Sequence, residues 1–471
     1  MSIRLAPLLA AAALAACATS APRPEAPTVE PAVPAAWNAP AGPSGNLAER
    51  PWGELFRNGE LEALIDEALR SNRDLRIAAE RIELARAQYG LARSARVPTI
   101  AADGSYTEQR GPSPASADNV RSRTASLGLA MPAWEIDLWG RLRSLTDAAL
   151  SEVESAQAQR RAVQVSLVGQ VALGYLDLLS IDEQLRISRD TARTRQEGLR
   201  IVRLRFEAGV VSMVDVAQAE SSLATAEQTI AELERQRALG ENALSLLVGR
   251  APGPLPRSAR LQQFALPATL PAGLPSDLLR RRPDIRAAER TVASTDADVD
   301  AARKAFLPTV SLTGFVGLIS PQLSQLVDAG RGGYAVTPAI TLPLLTGGRL
   351  ESNLDAAAAR RRIAIEEYGR TVHGALREVE DALVGFQRLS QQGAALDRIV
   401  AAGRERLRLV DLRYLNGISS YFEVLDSQRV LFDAELSRTQ IAASTYASVI
   451  QLYRALGGGW DPEAPPAPAA D

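Results

Sequence analysis

The chain has 471 residues, with 53 basic and 55 acidic side chains and a formal net charge of −2. This balance provides no basic stripe of the kind that nucleic-acid binding requires. Hydrophobic residues make up 46% of the chain but aromatic residues only 5%, and this alanine-rich composition favours closely approaching helices over one thick globular core.

The chain holds one cysteine and one histidine, and their scarcity excludes several kinds of site. One cysteine cannot form an internal disulfide. One histidine, His373 in a helical stretch, argues against a multi-histidine metal site and against a Ser/His/Asp triad. The sequence also has no P-loop, dinucleotide fingerprint or GxSxG elbow. We therefore expect no catalytic residue, no metal and no cofactor, and do not predict an enzyme.

The N-terminus predicts export followed by a lipid anchor. Residues 1–16 carry Arg4 and an apolar run from Leu5 onward, as a signal peptide does. They end at Leu14-Ala15-Ala16-Cys17, which resembles the lipobox of bacterial lipoproteins. Cys17 is therefore the predicted lipidation site; a plain signal peptide with an incidental cysteine is the alternative. Residues 17–51 are rich in proline and alanine and predict an extended tether.

Past residue 20 we expect no apolar run near the ~20 residues that a transmembrane helix needs. A membrane span would then have to be built from strands closed into a barrel. Three segments alternate apolar with small or polar residues in the way that a barrel wall built from strands of about ten residues requires, namely 124–129, 309–316 and 335–342. Polar or glycine-rich loops are predicted around 111–114 and at 320–333.

The main organising feature is an internal duplication with a period of about 208–210 residues. Gly140-Arg141-Leu142 recurs as Gly348-Arg349-Leu350, and Val97-Pro98-Thr99 recurs as Leu307-Pro308-Thr309. Residues 74–81 recur at 284–290, one residue shorter. Each copy predicts the order helix, strand, strand, very long helix, helix. We assign the copies to 52–249 and 276–458, with a linker at 250–275 and a flexible tail at 459–471.

The predicted helices are unusually long. The first helix of the first copy is expected at about 61–96, and the very long helices at about 138–206 and 350–414. At 1.5 Å per residue, roughly 65 residues extend about 100 Å. The helices that follow carry coiled-coil spacing of apolar residues.

Four strands in one chain predict an oligomer. The smallest bacterial barrels have about eight strands, and an open four-stranded sheet in lipid leaves its edges unsatisfied. Several chains are therefore needed to close a barrel, and the residues alone do not fix their number.

Two motifs resemble those of a known family. Trp134-Glu-Ile-Asp-Leu-Trp-Gly-Arg141 resembles the strand-to-helix junction of the TolC-like outer-membrane factor family, and Arg282-Pro283-Asp284 lies where that family opens its second repeat. With the lipobox, they point to its lipidated NodT/OprM-type branch. The resemblance implies a mainly α fold with membrane β: a homotrimeric 12-stranded β-barrel, four strands per chain, continued by a long α-helical periplasmic barrel.

The function that this resemblance implies is the outer-membrane channel component of a tripartite, RND-type efflux system. Such a channel is a passive exit duct for small toxic compounds, anchored in the outer membrane and extending into the periplasm. Its expected partners are two further copies, a periplasmic adaptor and an inner-membrane pump. The alternatives are a periplasmic adaptor, which has one hairpin where this chain predicts two, or a structural coiled-coil lipoprotein.

The resemblance also implies a site at the two hairpin turns, Gly209 and Gly417. By analogy with the family, Asp215 hydrogen-bonds Tyr414 to hold neighbouring coils closed. Carboxylates close to the three-fold axis would raise each other's pKa. Ser419 departs from the arginine that TolC has in this network, and solvated charges at helix ends are the alternative reading. The implied gate residues are Asp215, Tyr414, Phe422, Glu423, Asp426 and Arg429, and the implied adaptor contacts are Arg203, Arg205, Phe206, Glu207 and Gly209.

Overall fold

The computed structural model describes residues 33–39, 42, 45–50, 52–56, 58–113, 116–264, 270–328 and 330–458. The predicted signal peptide, Cys17, much of the tether and the C-terminal tail lie outside the described residues. The expectation of an extended tether up to residue 51 is wrong at its end, because Leu47 and Ala48 are buried in an apolar cluster with Val379 and Leu452. Within the described residues, the order helix, strand, strand, long helix, helix occurs twice along the chain.

The first copy contains five helices and two strands: α1 (Trp52–Phe56), α2 (Gly59–Ser71), α3 (Arg73–Ser94), β1 (Ala101–Ser113), β2 (Ser116–Ile136), α4 (Arg141–Glu207) and α5 (Met213–Val248). The second copy contains four helices and two strands: α6 (Asp277–Arg281), α7 (Pro283–Lys304), β3 (Thr309–Ser320), β4 (Gly332–Thr341), α8 (Arg349–Leu415) and α9 (Tyr421–Ala455).

The two copies align without a gap within two pairs of helices, α3 with α7 and α4 with α8. Helices α3 and α7 both have 22 residues, and α4 and α8 both have 67. Because α3 starts at residue 73 and α7 at residue 283, each position in α7 is its α3 counterpart plus 210; by the same reasoning, α8 is α4 plus 208. The shorter sequence match at 284–290 is therefore not a deletion within the helix.

The expected single helix over residues 61–96 is wrong, because Asn72 interrupts it and divides it into α2 and α3. This residue has extended backbone angles (φ −61°, ψ 133°), and its side-chain oxygen accepts from the Leu75 amide at 3.0 Å. The side-chain nitrogen Nδ2 of Asn72 donates to the carbonyl of Leu247 at 2.9 Å. Asn72 thus begins α3 and also holds it against the end of α5.

The strands form one antiparallel sheet in the order β1-β2-β3-β4. Ala101 pairs with Ala130, and Thr309 pairs with Thr341. Strands of about ten residues were expected, but β1 has 13 and β2 has 21. The expected loop at 111–114 is wrong over 111–113, which belong to β1, and β4 starts at Gly332, inside the other expected loop. Within the described residues, β1 and β4 each pair on one side only.

Both long helices are present as predicted, and each starts at a glycine with positive φ: Gly140 at 74° and Gly348 at 80°. At the first junction, Asp137 accepts from the amides of Leu142 and Arg143 at 3.0 and 2.8 Å. A carboxylate at this end offsets the positive end of the helix dipole. Residues of the Trp134–Arg141 motif therefore turn the chain from sheet to helix.

Helix α4 corrects one expectation about apolar runs. It contains an 18-residue window that is apolar enough to cross a membrane by length and composition, and 56% of that window is buried inside the fold. Buried side chains of α4, such as Val171, Tyr175 and Leu178, pack against α2 and α5 in one apolar cluster. The window therefore has the character of a core helix.

Candidate functional site at the two helix turns

The turns that join α4 to α5 and α8 to α9 have the same backbone design. Gly209 (φ 71°) donates its amide to the Phe206 carbonyl at 2.9 Å, and Val210 donates to Arg205 at 2.9 Å. The corresponding bonds around Gly417 (φ 73°) are 3.0 and 2.9 Å. This pair of bonds is a Schellman motif, which needs a left-handed residue after the helix and so favours glycine.

The Asp215 side chain forms hydrogen bonds within its own turn and not with Tyr414. Its carboxylate accepts from the Ser212 amide at 2.9 Å and from the Ser212 hydroxyl at 2.8 Å, while the Asp215 amide donates to that hydroxyl at 3.4 Å. These contacts form a capping box at the start of α5. The chain therefore does not bring Asp215 and Tyr414 together as a hydrogen-bonded pair.

Tyr414 lies between the two turns. Its ring packs on Tyr421 with centroids 5.3 Å apart, and the Arg205 guanidinium lies 4.7 Å from the ring centroid on another side. The Tyr414 hydroxyl is buried and has no hydrogen-bond partner among the described residues. A buried hydroxyl without a partner costs about 1–3 kcal/mol, so a partner from outside the chain is favoured.

Asp426 and Arg429 do meet, and a third residue joins them. Asp426 accepts from Arg406 at 2.7 Å and from Arg429 at 2.9 Å, and Arg406 comes from the opposite helix of the hairpin. The Arg406 bond first, and then the Arg429 bond, hold the pKa of Asp426 below its ordinary value. Within one chain, these bonds therefore lower the pKa of Asp426, whereas repulsion between the carboxylates of different copies would raise it.

Two further predicted gate residues, Phe422 and Glu423, lie at the start of α9. The Glu423 carboxylate is 3.9 Å from the Arg413 guanidinium, and the Phe422 side chain is 62% exposed. Ser419 donates its hydroxyl to the Val410 carbonyl at 3.4 Å, so it closes the turn locally.

Tyr421 is a residue of this site that the sequence did not single out. It is buried in an apolar cluster that takes side chains from all four hairpin helices: Leu199, Val202, Val216, Ala219, Val410, Tyr421 and Val424. A Cβ added at Gly198 would lie 3.1 Å from the Tyr421 hydroxyl. Burial, followed by nearby Tyr414 and Asp411, raises the pKa of Tyr421 to about 12. The sequence signal that could have identified Tyr421 is its position directly after Ser420, at the start of α9.

The predicted adaptor contacts form an exposed surface on the last turns of α4. Arg203 is exposed and pairs with Glu220 at 2.5 Å, and Phe206 is 42% exposed. Glu207 and Gly209 are exposed as well, whereas Arg205 is half-buried beneath its contact with Tyr414. The surface offers charges around one aromatic side chain.

Residues of the linker are tied to the helices by polar contacts that the sequence did not predict. The Arg257 side chain is 4% exposed and contacts Asp182 and Glu241, the latter at 2.8 Å. Glu60 accepts from the Ser258 hydroxyl at 2.6 Å and from Tyr175 at 2.7 Å. The Ser258 bond chiefly lowers the pKa of Glu60, to about 2.

Two antiparallel helical hairpins with matching glycine turns continue from a four-stranded antiparallel sheet, and solved structures with this fold are outer-membrane channels. The family model described as outer membrane efflux protein matches residues 64–250 and 274–458. The chain belongs to the outer membrane efflux protein family, and it is the outer-membrane channel component of an efflux system.

Relatives match along nearly their whole length. Outer membrane protein OprJ of Pseudomonas aeruginosa is 38% identical over 467 residues, covering 96% of this chain and 95% of its own. The toluene efflux pump outer membrane protein TtgC of Pseudomonas putida is 36% identical over 448 residues, covering 93% and 92%. The solved structure of the Neisseria gonorrhoeae MtrE outer membrane channel, in its open state, is 34% identical in sequence and has a TM-score of 0.82. The match covers 93% of this chain and 98% of that one.

Proposed function

We propose that three copies of this chain close a 12-stranded barrel and continue it as a 12-helix duct, the passive exit of a tripartite efflux system. The observation that carries this proposal is the open sheet. Within the described residues, its outer strands β1 and β4 each pair on one side only. In lipid, each unsatisfied backbone group costs several kcal/mol, so other chains must supply the missing partners.

The side chains of the sheet support the same assembly. Large apolar residues lie exposed on three of its strands, as expected for a wall that meets lipid: Leu127 50%, Leu129 52%, Val316 57%, Val336 61% and Ile340 74%. Each hairpin of about 100 Å would then line the duct below the barrel. Cys17 would add a lipid anchor beyond the tether.

The partners follow from the ends of the duct. A periplasmic adaptor would dock on the exposed surface of Arg203, Phe206 and Glu207, and an inner-membrane pump of the RND type would drive the cargo. Two relatives are named as components of an antibiotic and a toluene efflux pump, and small toxic compounds of this kind are the proposed cargo here. The duct itself would perform no chemistry.

Mass and conductance measurements test this function. Light scattering of the detergent-extracted protein should give three times the mass of one processed chain, and planar bilayers should show a channel. A monomer would contradict the assembly, and a trimer that conducts no ions under any condition would contradict the duct.

At the tip, we propose that the Asp215 carboxylate and the Tyr414 hydroxyl help to hold the duct closed. Asp215→Ala and Tyr414→Phe should each raise bilayer conductance. Ser212→Ala is the matched control, because it removes the hydroxyl half of the capping box, about 1 kcal/mol, and leaves the carboxylate in place.

Three outcomes separate the possibilities. Higher conductance from Asp215→Ala and Tyr414→Phe, with Ser212→Ala unchanged, supports the lock. An equal rise in Asp215→Ala and Ser212→Ala would assign the effect of Asp215 to fraying of α5. Unchanged currents in both Asp215→Ala and Tyr414→Phe would contradict the lock.

A further inference from the structure

Helix α3 carries a row of large apolar side chains that no described residue covers. Ile77, Leu84 and Leu91 are 50%, 59% and 71% exposed. A spacing of seven residues places them on one face of the helix. Their counterparts in α7, 210 residues later, are Ala287, Ser294 and Ala301, which are all buried.

The cover over that face of α7 comes from the long helix of the other copy. The Ser155 hydroxyl of α4 donates to the Ala287 carbonyl at 3.1 Å, and Glu154 pairs with Arg290 at 3.1 Å. On its other side, α7 meets the long helix of its own copy through Arg361 and Asp296. Helix α7 therefore lies between two long helices.

Among the described residues, helix α3 has one of these two neighbours. It packs on α4 through Leu75, Ala78, Ile82 and Ala85, which are its buried residues. This contact corresponds to that of α7 with α8. The contact that corresponds to α7 with α4 would need a second α8, and a single chain has one.

Applying the two shifts identifies the residues of the missing contact. Ala287 corresponds to Ile77, and Ser155 corresponds to Ile363, which is 57% exposed on α8. Arg290 corresponds to Glu80, and Glu154 corresponds to Arg362. The ion pair thus recurs with its charges exchanged between the helices.

We propose that α3 of one chain packs against α8 of a second copy, with Ile77 on Ile363 of the partner subunit and Glu80 paired with Arg362 of the partner subunit. Both charged side chains are exposed, and neither forms an ion pair among the residues that the structure describes. Complementary charge and complementary apolar residues occur at one register, and this favours a second copy as the occupant. The inference rests on the proposed trimer and adds its register.

Cysteine pairing tests the register. In the full chain, Ile77→Cys combined with Ile363→Cys should give covalent oligomers up to trimers on a denaturing gel after mild oxidation, and reduction should reverse them. A disulfide requires Cα atoms within about 7 Å. Neither single variant should cross-link, and both carry the native Cys17 as an internal control. Leu91→Cys with Ile363→Cys should fail, because 14 residues displace the thiol by about 21 Å along the helix.

A charge exchange tests the ion pair separately. Glu80→Arg should lower the temperature at which the trimer dissociates, because it faces Arg362 of the partner subunit. Adding Arg362→Glu should recover most of that loss. Failure of the double variant to recover would overturn the ion pair.

The proposed function and this register fail in different ways. A trimer by light scattering without cross-links in the 77/363 pair would overturn the register and leave the function intact. A wild-type monomer would overturn both. Equal cross-linking in the 91/363 control would also overturn the register, because it would show nonspecific contact.

Discussion

Replacing Arg282 with methionine is expected to lower the free energy of unfolding by about 2–4 kcal/mol. The guanidinium donates to Asp284 at 3.0 and 2.6 Å, to Glu378 at 2.8 Å and to the Ala455 carbonyl at 2.9 Å. Methionine fills similar space but leaves two carboxylates without a cation. Because their side chains keep 34% exposure, water compensates in part, and the loss should fall short of that for a fully buried pair.

Thermal or denaturant unfolding of the detergent-solubilised protein measures this loss, and Arg280→Met is the matched control. Arg280 lies two residues earlier, is 84% exposed and pairs only with Asp277, at 3.3 Å, among the described residues. An exposed pair of this kind contributes about 0–1 kcal/mol. Equal losses in the two variants, or no loss at Arg282, would contradict the buried role.

The role of Arg282 shows where sequence reasoning reaches its limit. The Arg-Pro-Asp motif was visible, and Pro283 at the start of α7 is a local signal. The Glu378 and Ala455 contacts, however, lie 96 and 173 residues away along the chain. No local pattern specifies which distant carboxylate a buried guanidinium will reach, so the resemblance gave the place of the motif but not its contacts.

The elements that were predictable depend on short-range chemistry. The 67-residue helices follow from long stretches without proline, and the turns at Gly209 and Gly417 follow from glycine after a helical run. The break at Asn72 was missed although asparagine is a strong N-cap residue, because the apolar periodicity continues through it. The end of β1 was predicted too early, because neither the glycine at 111 nor the proline at 112 ends the strand.

At the site, local chemistry also explains the difference from expectation. Ser212 and Asp215 are three residues apart at a helix start, which is the spacing of a capping box. That pattern was readable in the sequence, and in the structure the carboxylate of Asp215 satisfies its own turn. Tyr421 was missed for another reason: its partners in the apolar cluster come from four helices.

A second large effect is expected where strands β2 and β3 meet. Gly128 and Gly317 lie directly opposite each other in the sheet register. A Cβ added at Gly128 would lie 2.4 Å from the Val316 carbonyl oxygen and 2.7 Å from the Gly317 Cα. Both are backbone atoms, so no side-chain rotation can relieve the clash. Gly128→Ala must therefore separate the two strands, at a cost of about 1–3 kcal/mol per chain or more.

The consequence should exceed that of a local distortion, because β2 with β3 is the only junction between the two copies in the sheet of the described residues. If three chains share one barrel, the cost is incurred three times in each assembly. Gly128→Ala should therefore reduce the amount of trimer recovered from outer membranes, measured on native gels. Gly314→Ala in the interior strand β3 is the control, since among the described residues a Cβ there would meet only the Met131 side chain, at 3.4 Å, and it should assemble as the wild type does. Normal assembly of Gly128→Ala would show that the strands can separate at little cost, and would contradict the close approach as a requirement for the barrel.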